Sequence, residues 1–418
     1  MTYDTVVIGA GVAGLTAALR LAEAGERVLV VAKGVGSTHL APATIDVLGF
    51  GPGRVRSPAQ ALPAFTEANP DHPYARLSPD LVAASVEWLR ARLPAIGYQG
   101  GLEENFLLPT AVGAVKPSAL VPETMVAGDL RAGGRLVFVG LGLKDFYPAY
   151  LADNLAQAPL DGRVVSARSV EASPPVAGEA DRSSVGFARL FEEPSFRDAL
   201  VRELAGKLER DERVGFPAVL GLRRAGEVWR ELEAGLGRLV FEVATLPPSL
   251  SGIRLYEAMS AALREAGGRI HVGEPVVGAD TRAGRVEAVI TQPTARATTY
   301  RAPSFVLATG GFASGGLQVD SHGRMSEAVF DLPLAGPASL DGPRFLPDYF
   351  DEHPLNRVGV AVDDGLRPIG RDGRPVYENL HASGATLAGA LPWREASGNG
   401  LSLATGYAAA AAILERAS

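Results

Sequence analysis

Residues 4–33, DTVVIGAGVAGLTAALRLAEAGERVLVVAK, constrain this chain more than any other stretch. A β-branched run leads into Gly9, Gly11 and Gly14, an amphipathic segment follows, and a second β-branched run closes the unit. Leu15, Ala18, Leu19 and Ala22 recur at the spacing of one helical face, and Gly25 supplies a stop. The pattern is strand, turn, helix, strand: one βαβ unit. Each glycine has its own reason in such a turn. The first permits the tight reversal, the second lets a pyrophosphate approach the backbone, and the third allows close helix–strand packing. The helix start adds unpaired amides and the positive end of its dipole. Gly9, Gly11 and Gly14 are therefore candidate cofactor-binding residues in a Rossmann-like, dinucleotide-binding α/β fold.

The unit departs from the full dinucleotide pattern at one point. An acidic residue at the end of the second strand would bond an adenosine ribose, but Ala32 and Lys33 occupy that place. Lys33 has two readings, a phosphate contact or a solvated surface charge. At the other end of the chain, NLHASGATLAGALPWREASGNGLSLATGYAAAAAI reads as a strand, glycine turns and a helix. Gly384 lies in the first of these turns. Gly398, Asn399, Gly400 and Leu401 precede the helix, where backbone amides and the helix dipole suit the electron-rich carbonyl edge of a flavin. A third glycine turn, at Gly310, ends the buried run SFVLATGGF at residues 304–312.

Between these landmarks the regular α/β pattern is interrupted. Residues 51–245 read as an inserted α+β substrate or cap domain, with a loop near Ser173 to Ser184. The flavin-binding domain is then assembled from residues 1–50, 246–312 and 357–418, with a cap excursion at 313–356. Segments at 275–279, 285–291 and 297–301 read as a small antiparallel meander.

Composition narrows the function classes. A net charge of −7 and a pI near 5.5 argue against nucleic acid or anionic membrane as a direct partner. The chain has no cysteine, so disulfides and cysteine-ligated clusters are excluded, and an electron bound for a cluster must reach another polypeptide. No apolar run approaches the ~20 residues of a membrane span, and the start lacks the basic lead and cleavage site of a signal peptide. The expectation is a cytoplasmic protein that meets the inner face of a membrane only through a partner. No histidine pair has zinc-site spacing, and no metal is expected.

The runs GAGVAG, STHLAPATIDVLG, HPYARL, TLPPSLSGIRL, VGVAVDDGLRP and SGNGLSLATGYAAA, in this order over most of the chain, resemble the B-subunit family of anaerobic glycerol-3-phosphate dehydrogenases. The resemblance implies a flavin, described there as FMN, although an intact GAGVAG suits FAD equally well. It implies oxidation of glycerol 3-phosphate to dihydroxyacetone phosphate, beside an A-subunit flavoprotein and a membrane-associated iron–sulfur protein, the C-subunit of the same complex. A non-catalytic role in electron transfer or assembly, and a flavin oxidoreductase acting on another small acid, remain as alternatives.

Ser37, Thr38 and His39 follow the βαβ unit closely enough to lie at the cofactor. Their run also resembles the serine–histidine–threonine segment of succinate dehydrogenase and fumarate reductase flavoproteins, in which the histidine can bind flavin covalently. Here His39 is expected near the flavin without a bond, tuning it or orienting substrate. Arg254, at a helix start after a proline-rich turn, is expected either to clamp a phosphate or flavin edge or to bridge domains. Arg394 beside Trp393 has the same two readings, and His381 is a further cofactor-site candidate.

Overall fold

A computed structural model describes residues 3–160, 162–173, 183–292, 296–336 and 343–417. The chain runs through β1 (Thr5–Ile8), α1 (Val12–Glu23), β2 (Val28–Ala32), α2 (Pro58–Ala68), α3 (Pro79–Arg92) and the strands β3 (Phe106–Pro109) and β4 (Val115–Ser118). It continues through β5 (Gly134–Gly140), α4 (Pro148–Ala156), β6 (Val165–Glu171), α5 (Ser184–Glu192), α6 (Pro194–Leu204), β7 (Glu212–Pro217), α7 (Ala225–Leu236) and β8 (Val240–Val243). Next come α8 (Leu250–Glu265), β9 (Arg269–Val272), β10 (Val276–Arg282), β11 (Arg285–Thr291), β12 (Thr298–Arg301) and β13 (Ser304–Leu307). The chain closes with β14 (Leu380–Ala382), α9 (Pro392–Glu395) and α10 (Gly398–Ala417).

Local chemistry sets the helix starts. Ser57, Ser78 and Ser249 precede α2, α3 and α8, and each side chain accepts a hydrogen bond from the amide three residues on. Pro58 and Pro79 then occupy first-turn positions whose missing N–H costs nothing.

Two parallel sheets organise the molecule. The first has the order β9-β2-β1-β13-β14. Its strands TVVI and VLVVA are buried throughout, as parallel strands covered on both faces must be. From β1 the chain moves outward to β2 and β9, then returns past β1 to β13 and β14, so the direction of winding reverses at β1. The crevice beyond the C-terminal end of β1 is thus a topological switch point, where open α/β sheets bind ligands. Against this sheet α1 lies beside α8 and α10. The approach to α10 is close because Gly406 has no side chain: a Cβ there would stand 2.3 Å from the Ala13 carbonyl oxygen. The strands β10, β11 and β12 form the antiparallel meander.

The second sheet, within the 51–245 insertion, has the order β8-β7-β5-β6 and is also parallel. Helices alternate with its strands, so this part is wound as α/β where the sequence suggested α+β. Among the described residues of this part, antiparallel strand pairs are β3–β4 and the short Gln99–Gly100 and Leu120–Val121 pair, beside isolated bridges at Phe50–Arg54 and Ile45–Leu120. Short buried runs such as VFEV carry no period that separates a parallel strand from an antiparallel one, which is why the patterning alone misses this. A separate hydrophobic core forms around Phe138, Phe191, Phe216 and Phe241. Of the loop expected at 173–184, residues 174–182 lie outside the described residues. Among the described residues no helix is long and apolar enough to cross a membrane, and no group of acidic and histidine side chains is arranged to hold a metal.

Candidate functional site

The three glycines of the first turn divide their work. Gly9 has φ +116°, and a Cβ on it would stand 2.2 Å from the Ala308 carbonyl oxygen, so β13 passes too close for any other residue. At Gly14 a Cβ would lie 2.1 Å from the Gly9 carbonyl oxygen, so α1 rests on the end of β1. At Gly11 nothing lies within 4 Å of a Cβ. Two glycines therefore pack the turn and the third opens it. The first turn of α1 holds no acidic residue and Gly11 caps it without a side-chain bond, so its amides face this opening unopposed. The loop after β2 closes over the turn: Gly36 has φ +71°, and its Cβ would be 2.9 Å from the Gly11 Cα.

The other two glycine turns converge here. Ala308 donates its N–H to the Ile8 carbonyl (2.8 Å), which carries Thr309 and Gly310 past the end of β1. A Cβ on Gly384 would meet the Ala13 Cβ at 2.8 Å, and Thr386 Oγ1 donates to the Gly310 carbonyl at 3.2 Å. Around this crevice Thr38 Oγ1, His39 Nε2, Thr309 Oγ1 and Ser383 Oγ are buried with no hydrogen-bond partner. Each such atom costs about 1–3 kcal/mol when left unmade. Four on neighbouring segments make this crevice the candidate site for a polar ligand.

The start of α10 corrects part of the sequence expectation. Gly400 donates its N–H to the Asp46 carbonyl (3.0 Å) and Leu401 donates to the Ser397 carbonyl (2.7 Å), so neither amide is free for a flavin edge. Asn399 Nδ2 bonds the carbonyls of Pro42 (3.0 Å) and Thr44 (2.9 Å), so its side chain ties the post-β2 loop to the helix. The first-turn amides of Gly398 and Asn399 remain as the donors that an α-helix leaves without intrahelical partners.

His39 stands edge-on to Tyr256, with ring centroids 5.0 Å apart, and its carbonyl accepts the Ser249 N–H at 2.8 Å. Burial pushes its imidazole below the usual histidine range, while the Glu257 carboxylate pulls the other way. The neutral ring is therefore favoured. Ser37 and Lys33 are exposed. The Ala32 carbonyl accepts N–H groups from Gly273 (2.9 Å) and Glu274 (3.0 Å), so the backbone after β9 closes on the end of β2. The Glu274 side chain is taken up by β9 and the meander, with His271 Nδ1 and Thr291 Oγ1 each at 3.3 Å. The Glu274 carboxylate accepts from the Tyr300 hydroxyl at 2.8 Å.

Arg254 has the bridging role. Its Nη1 and Nη2 meet the two Glu242 oxygens at 2.7 and 3.0 Å, and Nε donates to the Gly221 carbonyl at 2.9 Å. Glu242 also accepts from Thr124 Oγ1 and the Leu220 N–H. This buried cluster fastens α8 to β8, and its guanidinium is spent there rather than on a phosphate. His381 is likewise structural: its Nδ1 lies 2.7 Å from the Gly365 carbonyl, and burial pushes its pKa down to about 4. Arg394 reaches Glu352 at 3.3 Å and lies over the Trp393 ring.

Two clusters near α10 had no signal in the sequence, because their members are far apart along the chain. His72 Nδ1 accepts the Tyr74 N–H, so Nε2 carries the proton it shares with Glu395 at 3.2 Å. Glu395 also accepts from Ser397 Oγ (2.9 Å) and the Leu391 N–H (2.8 Å), which fixes the turn into α10. Hydrogen bonds to the charged form hold its carboxyl below the usual range despite the opposing effect of burial. On the other side, Lys116 Nζ bridges Thr44 Oγ1 (2.7 Å) and Asp46, and Ser118 Oγ donates to Asp46 at 2.7 Å.

Residues 4–401 match the family model described as FAD binding domain. The chain is similar to the probable anaerobic glycerol-3-phosphate dehydrogenase B-subunit of Halobacterium salinarum, with 37% identity over 99% of this chain and 98% of that one. It is also similar to the anaerobic glycerol-3-phosphate dehydrogenase B-subunit of Pectobacterium carotovorum, with 33% identity over 99% of each chain. Among solved structures, the 3-ketosteroid Δ1-dehydrogenase of Sterolibacterium denitrificans aligns over 99% of this chain and 100% of that one, at 13% identity and a TM-score of 0.47.

Proposed function

We propose, from the premise that this chain belongs to the FAD binding domain family and to the B-subunit family of anaerobic glycerol-3-phosphate dehydrogenases, that it holds FAD and oxidises sn-glycerol 3-phosphate to dihydroxyacetone phosphate. The observation that carries this reading is the open approach at Gly11, with orphaned polar side chains around it. A helix start facing a space that no side chain enters suits a pyrophosphate. FAD takes the place of the FMN implied by resemblance, because the matching family model is an FAD binding domain.

When bound, the flavin supplies a two-electron acceptor for the hydride on the alcohol carbon, and the hydroxyl proton leaves for a base as the carbonyl forms. His39 is the base in this reading: burial favours its neutral form, and Nε2 has no protein partner. Thr38, Thr309 and Ser383 would hold the cofactor through their unpartnered hydroxyls, and the Gly398 and Asn399 amides would offer donors to its electron-rich edge. Electrons then pass to partner chains, the A-subunit flavoprotein and the membrane-associated iron–sulfur C-subunit. Support comes from the B-subunit names of the relatives and from a sequence without cysteine.

The test has two stages. Cofactor released from purified protein is identified by mass, with FAD expected; FMN or no flavin would overturn the cofactor assignment. Anaerobic addition of glycerol 3-phosphate should then bleach the flavin. FAD that stays oxidised, with partner chains present or absent, would overturn the substrate assignment.

A further inference from the structure

Two runs that carried the family resemblance, HPYARL and VGVAV, have no part in the flavin crevice. The structure brings them together. Residues 68–73 and Arg76, with 335–336, 357, 360–362 and 387–389, enclose a cavity of about 520 Å³, inside the ~300–1,000 Å³ range of small-ligand pockets. Its apolar wall includes Pro70, Pro73, Val360 and Val362, its charged lining is Arg76, Arg357 and Asp71, and His72 stands beside them.

The two arginines are held differently. Arg357 Nη1 donates to the Gly389 carbonyl (2.8 Å) and Nη2 to Glu352 (3.0 Å), so its guanidinium is fixed while donors remain unused. Arg76 faces Asp364 only at 3.8 Å, beyond hydrogen-bond length, and that aspartate is 89% exposed. Such a contact contributes little and is easily exchanged for a stronger anion.

This cavity adjoins the flavin crevice through shared chain. Leu387 to Gly389 form part of its wall and follow directly on the Gly384–Thr386 turn, with Leu387 donating to the Gly384 carbonyl at 3.1 Å. Gly389 has φ +95°, and its Cβ would stand 2.3 Å from the Asp71 carbonyl oxygen, so the wall presses directly on the His72 turn. Behind it His72 grips Glu395, which shapes the entry to α10. The stretch directly after the Gly384–Thr386 turn thus walls a cavity that carries two guanidinium groups.

We infer that this cavity is the substrate's phosphate site, with Arg76 and Arg357 binding the phosphomonoester dianion. The inference rests on the proposed oxidation of a phosphorylated polyol and names the subsite that would select it. Guanidinium groups match phosphate oxygens in geometry and charge, and neutral glycerol would lack that contact.

Calorimetric titration of the flavin-loaded protein with glycerol 3-phosphate, glycerol and inorganic phosphate tests this directly, beside the anaerobic bleaching rate at saturating substrate. Arg76→Gln, at an exposed side chain whose one ion-pair contact among the described residues is the 3.8 Å approach to Asp364, should raise the glycerol 3-phosphate Kd roughly 10- to 100-fold. Arg357→Gln should weaken binding in the same direction, and glycerol affinity should not respond to either change. Arg54→Gln, in the separate cavity beside Val112 and Pro159, should bind as the parent does. If the parent binds and is reduced by glycerol 3-phosphate while Arg76→Gln and Arg357→Gln match it, the phosphate assignment falls and the function stands. A parent that neither binds nor is reduced refutes the proposed substrate, and this inference with it.

Discussion

Substituting the first-turn glycines one at a time separates folding from cofactor binding. Gly11 has φ −78° and ψ −179°, extended backbone that alanine adopts freely, and nothing lies within 4 Å of its Cβ position. Gly11→Ala should therefore change the stability of the flavin-free protein by no more than about 1 kcal/mol, the scale of an altered helix cap. The same methyl stands where a phosphate oxygen must approach. Losing one charge-assisted amide bond costs about 1.5–3 kcal/mol, which weakens flavin binding roughly 10- to 100-fold. Gly14→Ala should do the reverse. Its gain in helix propensity is about 1 kcal/mol, but the new Cβ would lie 2.1 Å from the Gly9 carbonyl oxygen and 3.3 Å from the Ala308 Cβ. Relieving that overlap means lifting α1 from β1, at about 1–3 kcal/mol or more for an overpacked core. Urea denaturation of the flavin-free proteins gives the stabilities, and fluorescence titration with flavin gives the affinities. Unchanged flavin affinity in Gly11→Ala would refute the reasoning, whatever the outcome at Gly14.

Arg254→Met should destabilise by about 3–5 kcal/mol, because it leaves the Glu242 carboxylate buried without its partner. Arg254→Met with Glu242→Met should recover part of that loss in urea midpoints, and flavin content per folded protein should stay at the parent level. His381, whose folded pKa of about 4 lies below its unfolded value, stabilises fully above about pH 6.5 and loses that contribution as pH falls towards 4. His381→Gln should flatten the acid limb of stability by about 2–3 kcal/mol between pH 7 and 4.5; an unchanged limb would show that another group sets it. His39→Gln should slow flavin reduction at saturating substrate by roughly 10²- to 10⁴-fold. The parent rate should fall only as pH drops below about 6.5, and a His39→Gln variant that keeps this limb would remove His39 from the chemistry.

The first βαβ unit was legible because its signals are local. A β-branched run, three glycines at fixed offsets and one apolar helical face all lie within 30 consecutive positions, and each has a single backbone explanation. The meander at 276–301 was legible for the same reason, from alternation and turn residues. Composition also spoke without a structure, since a chain without cysteine has no thiolate ligands in any fold.

Tertiary structure decided what depends on distance between remote positions. Whether Gly9 or Gly11 meets open space is set by Ala308, nearly 300 residues away, which fills one approach and leaves the other. Gly400 looks like a free donor until Asp46 is found beside it, and Arg254 looks like an anion clamp until Glu242 closes on it. The parallel winding of the inserted sheet and the His72–Glu395 grip behind α10 follow the same rule. Hydrogen-bonding groups are fixed by the sequence, but their partners are fixed by packing. A donor or charge is available for function only where the fold has left it unpaired.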